Sequence, residues 1–163
     1  MESRAKLLGH PIHPMLVVVP LGLFIAAVVF DAFYLWRLST TLSMAAYWNI
    51  AAGIVGGLVA AIFGLIDWLA IPSNTRAKRI GLLHGATNVV VVLLFALAWW
   101  SRQDVPAHAP TTGQFGLEVV ALLLGAGAGW LGGELVDRLG VGVDDGAHLN
   151  APSSLSGRPA RTR

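Results

Sequence analysis

Along the chain the apolar residues gather into four long blocks, at residues 14–36, 47–71, 80–100 and 115–136, parted by shorter stretches that hold most of the charge. Each block runs about 21–25 residues. At ~1.5 Å per residue that makes ~30–38 Å of helix, enough to cross a hydrocarbon core of about 30 Å. The pattern predicts an all-α membrane protein with four transmembrane helices. The first block is longer than the apolar region of a secretory signal, about 7–15 residues, and no clear small-residue cleavage site follows it. It is expected to stay in the mature chain. Short connections after the first and second blocks predict antiparallel neighbours, hence an up-down-up-down bundle over residues 1–143. Residues 144–163, rich in Ser, Pro, Gly and Arg, read as a disordered tail.

Composition sharpens this picture. Only 12% of the residues are charged and 55% are hydrophobic, with a mean hydropathy of +0.67, which excludes an ordinary water-soluble globule. There is no cysteine, so disulfides, thiolate catalysis and iron–sulfur ligation are excluded, and any metal or haem must use His, Asp, Glu or Met. A net charge of +2 and a pI near 9.5 would suggest nucleic acid for a soluble protein. Here the basic residues flank apolar blocks, so the expected partner is the lipid bilayer and not nucleic acid.

The basic residues also predict an orientation. Of the eleven Lys and Arg, nine fall on one side when the connections are assigned alternately: Arg4 and Lys6, then Arg76, Lys78 and Arg79, then Arg138, Arg158, Arg161 and Arg163. Only Arg37 and Arg102 fall on the other. The positive-inside rule therefore places both termini in the cytoplasm. Tyr34, Trp36, Tyr47, Trp48, Trp99 and Trp100 lie at the opposite ends, as an aromatic belt does.

Ionisable side chains inside a bilayer cost several kcal/mol unless paired or functional, so each one needs a partner. Asp31 and Glu118 lie toward the outer ends, where they are expected to reach headgroup water, with Arg37 near Asp31 in sequence. His108 and His148 fall in linking segments and read as solvated. The inner half is richer. Asp67, His84 and Glu134 each lie four or five residues from a proline or arginine that marks a helix end, about 6–8 Å inside the boundary at ~1.5 Å per residue. His13 joins the same layer: it precedes Pro14, and a proline suits the first turn of a helix, where its missing N–H has no partner. His10 sits three residues earlier on the same rigid start. Asn88, one turn after His84, extends the polar stripe.

Two ligand sets follow. His13, Asp67, His84 and Glu134, drawn from four helices, make a carboxylate–histidine set suited to a divalent metal ion such as Fe, Mn or Zn, although no compact motif such as HExxH is present. His10, His13 and His84 are the candidate ligands of a haem b. Small residues at helical spacing, Gly53, Gly57, Ala61 and Gly64 and then Gly125, Gly129 and Gly133, let backbones approach closely and leave room for a flat cofactor. An internal duplication is also visible: "HPMLVVVPLGLF" resembles "HGATNVVVVLLF", and an acid closes the helix that follows each. It relates His13 to His84 and Asp67 to Glu134 about an axis along the membrane normal, and predicts that all four converge.

The segments "GHPIHP", "FGLIDWLAIP", "LLHGATN" and "GWLGGELVDRLGVGV" together resemble a bacterial family of membrane proteins known as domain of unknown function 2231, over about residues 8–143. The resemblance implies four membrane helices in a bacterial inner membrane. Members of that family are sometimes fused to a Rieske-type iron–sulfur domain, which implies a redox setting. Without cysteine, any such redox partner of this chain is a separate protein. No reaction follows from the resemblance. Three readings stay open: a redox-associated subunit holding haem b or a metal ion, a cofactor-free structural or scaffold protein, and a component of a proton or small-solute pathway. Self-association as a homo-oligomer is compatible with each.

Overall fold

The computed structural model describes residues 1–161; Arg163, counted above with the basic residues, lies outside them. A small antiparallel hairpin of β1 (Lys6–Leu7) and β2 (His10–Pro11) leads into α1 (Ile12–Leu16) and α2 (Val18–Arg37). There follow α3 (Thr40–Ala70), α4 (Arg76–Trp100) and α5 (Thr112–Gly133), which continues as a π turn over Glu134–Arg138. Four helical spans, Ile12–Arg37, Thr40–Ala70, Arg76–Trp100 and Thr112–Arg138, are long and apolar enough to cross a membrane.

The spans are wider than the apolar blocks, because helices run on past the greasy residues that mark them. The largest difference is α3, which begins at Thr40; only Leu38 and Ser39 separate it from α2. That reversal is made by Leu38 in the left-handed conformation, its N–H bonded to the Tyr34 carbonyl at 2.6 Å. Pro14 is the third residue of α1, inside the first turn, as proline tolerates. Pro20 acts differently. It has no N–H for the carbonyl of Leu16, and the helix breaks at Val17, between α1 and α2. Thr75 caps α4 by accepting from the Lys78 N–H, and Thr111 with Gln114 forms a capping box on α5.

The core is a narrow column. Phe24 and Phe95 stack at its middle, ring centres 4.0 Å apart and planes within 3°, with Ala27, Ala46, Ile50, Val91 and Ala121 packed around them. Gly53 makes room for this stack: a Cβ there would lie 2.6 Å from Cε1 of Phe24. Leu, Val and Ile side chains point outward along every span, Leu58, Ile62, Leu93 and Leu123 among them. That is the inverse of a soluble bundle and is what a lipid solvent asks for.

At one end the chain start closes over the helix ends. The Met1 ammonium donates to the Gly140 carbonyl at 2.7 Å, and the Gly142 N–H donates to the Met1 carbonyl at 2.9 Å. Lys6 bridges Glu2 and Asp144; its ammonium holds Glu2 below the usual carboxylate range, and the bond to Asp144 raises Lys6 itself. The tail residues described are mostly exposed, with one turn at Ser154–Ser156.

Candidate functional site: two polar layers on the bundle axis

The first layer is a pair of imidazoles. His13 of α1 and His84 of α4 meet with ring centres 6.2 Å apart and planes at 89°. Each is tied to the membrane span that follows its own. His13 Nδ1 is 2.9 Å from the Ala60 carbonyl on α3, and His84 Nδ1 is 2.8 Å from the Ala128 carbonyl on α5. A carbonyl only accepts, so each Nδ1 carries a proton and Nε2 is the nitrogen left for another partner. Orientation of a ring through Nδ1–H to a carbonyl is how proteins hold histidine ligands. Asn88 donates to the His84 carbonyl at 2.9 Å and lies 3.4 Å from His84 Nε2. Glycines accept both rings: a Cβ at Gly64 would lie 2.9 Å from Cε1 of His13, and one at Gly132 would lie 3.2 Å from Cε1 of His84.

The other sequence-predicted residues are not in this layer, and the expected four-way convergence divides. The register explains it. His13 lies against Ala60 and Gly64, and Ala60 is ten residues before the end of α3, or ~15 Å deep at ~1.5 Å per residue. Asp67 is seven residues further along, ~10 Å nearer the surface. There it accepts from the Ser3 hydroxyl and the Arg4 N–H, both at 2.8 Å, and anchors the chain start. Glu134 lies beyond Ala128 in the same sense and pairs with Arg76 at 2.6 Å. His10 is in β2, close to Ser154 of the tail at 3.3 Å. Among the described residues no group of three His, Cys, Asp or Glu is placed to hold a metal ion. Replacing Asp67 by Asn is expected to free residues 1–11 with little change in the bundle. Faster amide exchange confined to that segment is the readout.

The second layer lies at the other end of the column and was only half visible in the sequence. Asp31 of α2, Glu118 of α5 and Arg102, from the link after α4, are all fully buried. Asp31 does not reach water or Arg37, which instead stacks on Trp36 at 3.9 Å. Both Asp31 oxygens accept from Arg102, Oδ1 at 3.0 Å, and Glu118 Oε1 accepts at 3.0 Å. The link around Arg102 is bent to hold it. Ala107 and His108 both take positive φ, +55° and +49°, a conformation costing roughly 1–2 kcal/mol per residue. The bend lets the His108 carbonyl accept from Arg102 Nε at 2.7 Å and the Ala107 carbonyl accept from the Ser43 hydroxyl at 2.9 Å. The His108 ring is not free in solvent but stacks on Tyr47 at 3.8 Å. His148 is exposed, as expected.

One spacing links the layers. His13 and His84, Phe24 and Phe95, and Asp31 and Arg102 are each 71 residues apart in sequence, and each pair meets across the bundle: the histidines edge-on, the phenylalanines stacked, and the aspartate and arginine as an ion pair. The partners on the other helices keep a spacing of 68: Ala60 and Ala128, Gly64 and Gly132. Two helical hairpins, α1–α3 and α4–α5, thus present equivalent residues to a common axis, with the halves differing where Asp31 meets Arg102.

A four-span helical membrane protein with paired histidines on an internal axis is therefore the class this fold defines. The chain belongs to the family described as predicted membrane protein (DUF2231), whose model matches residues 9–145. Comparison with curated proteins and with solved structures finds no match.

Proposed function

We propose that this chain is a redox-associated membrane subunit that holds haem b between His13 and His84. The observation carrying this reading is the imidazole pair itself. Each ring has its Nδ1 tied to a carbonyl, so Nε2 is the nitrogen that would bind a metal. The ring centres lie 6.2 Å apart, and both rings are already oriented through Nδ1. The donor set selects between the two cofactor classes. A bare Fe, Mn or Zn ion takes three protein ligands or more; Asp67 and Glu134 are engaged elsewhere, and among the described residues no third His, Cys, Asp or Glu joins the pair. Haem brings four nitrogens of its own and asks the protein for two. It would supply one-electron chemistry, and the chain's part would be to fix two imidazoles in an apolar, four-helix surround.

Specific observations also bear on the other readings. Gly64 and Gly132 fit closely against the rings, which favours a packing role for the pair if nothing is bound. The stacked phenylalanines between the two polar layers argue against a continuous solute path. Among the described residues the side nearest the termini carries eight of ten Lys and Arg, which supports a cytoplasmic location of the histidine end in an inner membrane. A separate redox protein then delivers or removes the electron.

Addition of haemin to the detergent-purified chain tests the reading. The expected result is a saturable absorption change with the spectrum of six-coordinate, bis-imidazole haem. A change no different from haemin partitioning into empty micelles overturns it.

A further inference from the structure

Independently of any cofactor, we propose that the buried Asp31–Arg102–Glu118 cluster is a proton-binding site, with one proton held on the Glu118 carboxyl at neutral pH. The argument begins with donors. Arg102 has five N–H groups and all five are used: Nε on the His108 carbonyl, Nη1 on Asp31 and Glu118 Oε1, and Nη2 on Asp31 Oδ1 and the Ser43 carbonyl. Both Asp31 oxygens accept from this guanidinium. Glu118 receives on Oε1 alone, and its Oε2 is buried without a partner.

The charge balance gives the same answer. Two carboxylates face one guanidinium, and among the described residues no other Lys or Arg pairs with either of them. From α3 the neighbours are Ser43 and Tyr47; from the link, His108 contacts Arg102 through its carbonyl and its Nδ1, while Asp104 is exposed. Left fully ionised, the cluster carries one uncompensated negative charge in a site without solvent exposure. A buried carboxylate in that position takes up a proton, and two carboxylates sharing a site retain one between them. Asp31 is the worse place for it, because protonation there breaks a bidentate pair with Arg102. The proton therefore goes to the Glu118 carboxyl, whose Oε2 no donor satisfies. The ligand is a proton taken from the aqueous phase at this end of the bundle, where the link carrying Ala107 and His108 in strained conformations holds Arg102.

Infrared spectroscopy of the full chain in lipid vesicles tests this. A carboxylic acid C=O stretch is expected at neutral pH, where an exposed glutamate, with its value of about 4.3, is ionised. The band is expected to disappear in Glu118→Gln and to persist in Asp67→Asn. Should Glu118→Gln not fold, the pH titration of the wild-type band decides: persistence through neutral pH supports the proposal, and loss in the ordinary carboxylate range overturns it. No C=O band, together with a thermal midpoint that rises with sodium concentration, also overturns it, since a metal cation then balances the charge. Glu118→Gln is expected to keep the wild-type thermal midpoint, because an amide reproduces the neutral acid. A large drop in that midpoint, alongside a midpoint unmoved in Asp31→Asn, reverses the assignment of the proton.

Discussion

Replacing Arg102 by Met is expected to destabilise the folded protein by about 3–5 kcal/mol, the loss typical when one member of a buried ion pair is removed. The substitution keeps an unbranched apolar stem in the same space, so the effect isolates the guanidinium. Without it, Asp31 and Glu118 face one another with no cation, and the carbonyls of Ser43 and His108 lose their donor. The positive φ at Ala107 and His108 then has less to offset it. Replacing Arg37 by Met is the control. Arg37 is exposed and stacked on Trp36, and its loss is expected to fall within about 0.5 kcal/mol of wild type. Equilibrium unfolding in mixed micelles reads both. Equal small effects would mean that the buried cluster does not hold the link and α2 together.

The second large effect concerns the histidines. His13→Ala and His84→Ala are each expected to abolish the bis-imidazole haem spectrum, because each removes one of the two imidazoles that would hold the group. The two variants are expected to behave alike, since each ring is held by one carbonyl and faces one glycine in equivalent positions. His10→Ala is expected to leave the spectrum unchanged, its ring being at the surface near Ser154. Visible spectra of the three variants after haemin addition, read against the thermal midpoint, separate ligation from packing. A packing role lowers the midpoint and moves no absorption band of bound haem.

The division between what the chain announces and what it hides has physical causes. Spans are legible because a membrane helix is specified by composition over about twenty residues, which no tertiary contact overrides. The pairing of His13 with His84 is legible through the repeated "H…VVV…LF" pattern, and the structure brings those two rings together. The four-residue layer is not, because depth was counted from helix ends while His13 lies beside Ala60, seven residues before Asp67. The acids at the helix ends have other work: Asp67 ties down the chain start, and Glu134 meets Arg76. Arg102 was missed because it sits among Asp, Pro and Ser in what reads as a solvated link. A signal was present. Arg102 follows Asp31 by the same 71 residues that separate the histidines, and a duplicated chain places such positions opposite each other.

The central claim is that the histidine pair holds haem in the protein as it is made in cells. The direct measurement is the absorption spectrum of chain purified from haem-replete membranes, with iron determined in the same sample. The account predicts a Soret band, split low-spin bands on reduction, and iron at one atom per chain. A colourless protein without stoichiometric iron, unaltered by haem supplied during expression, would contradict it.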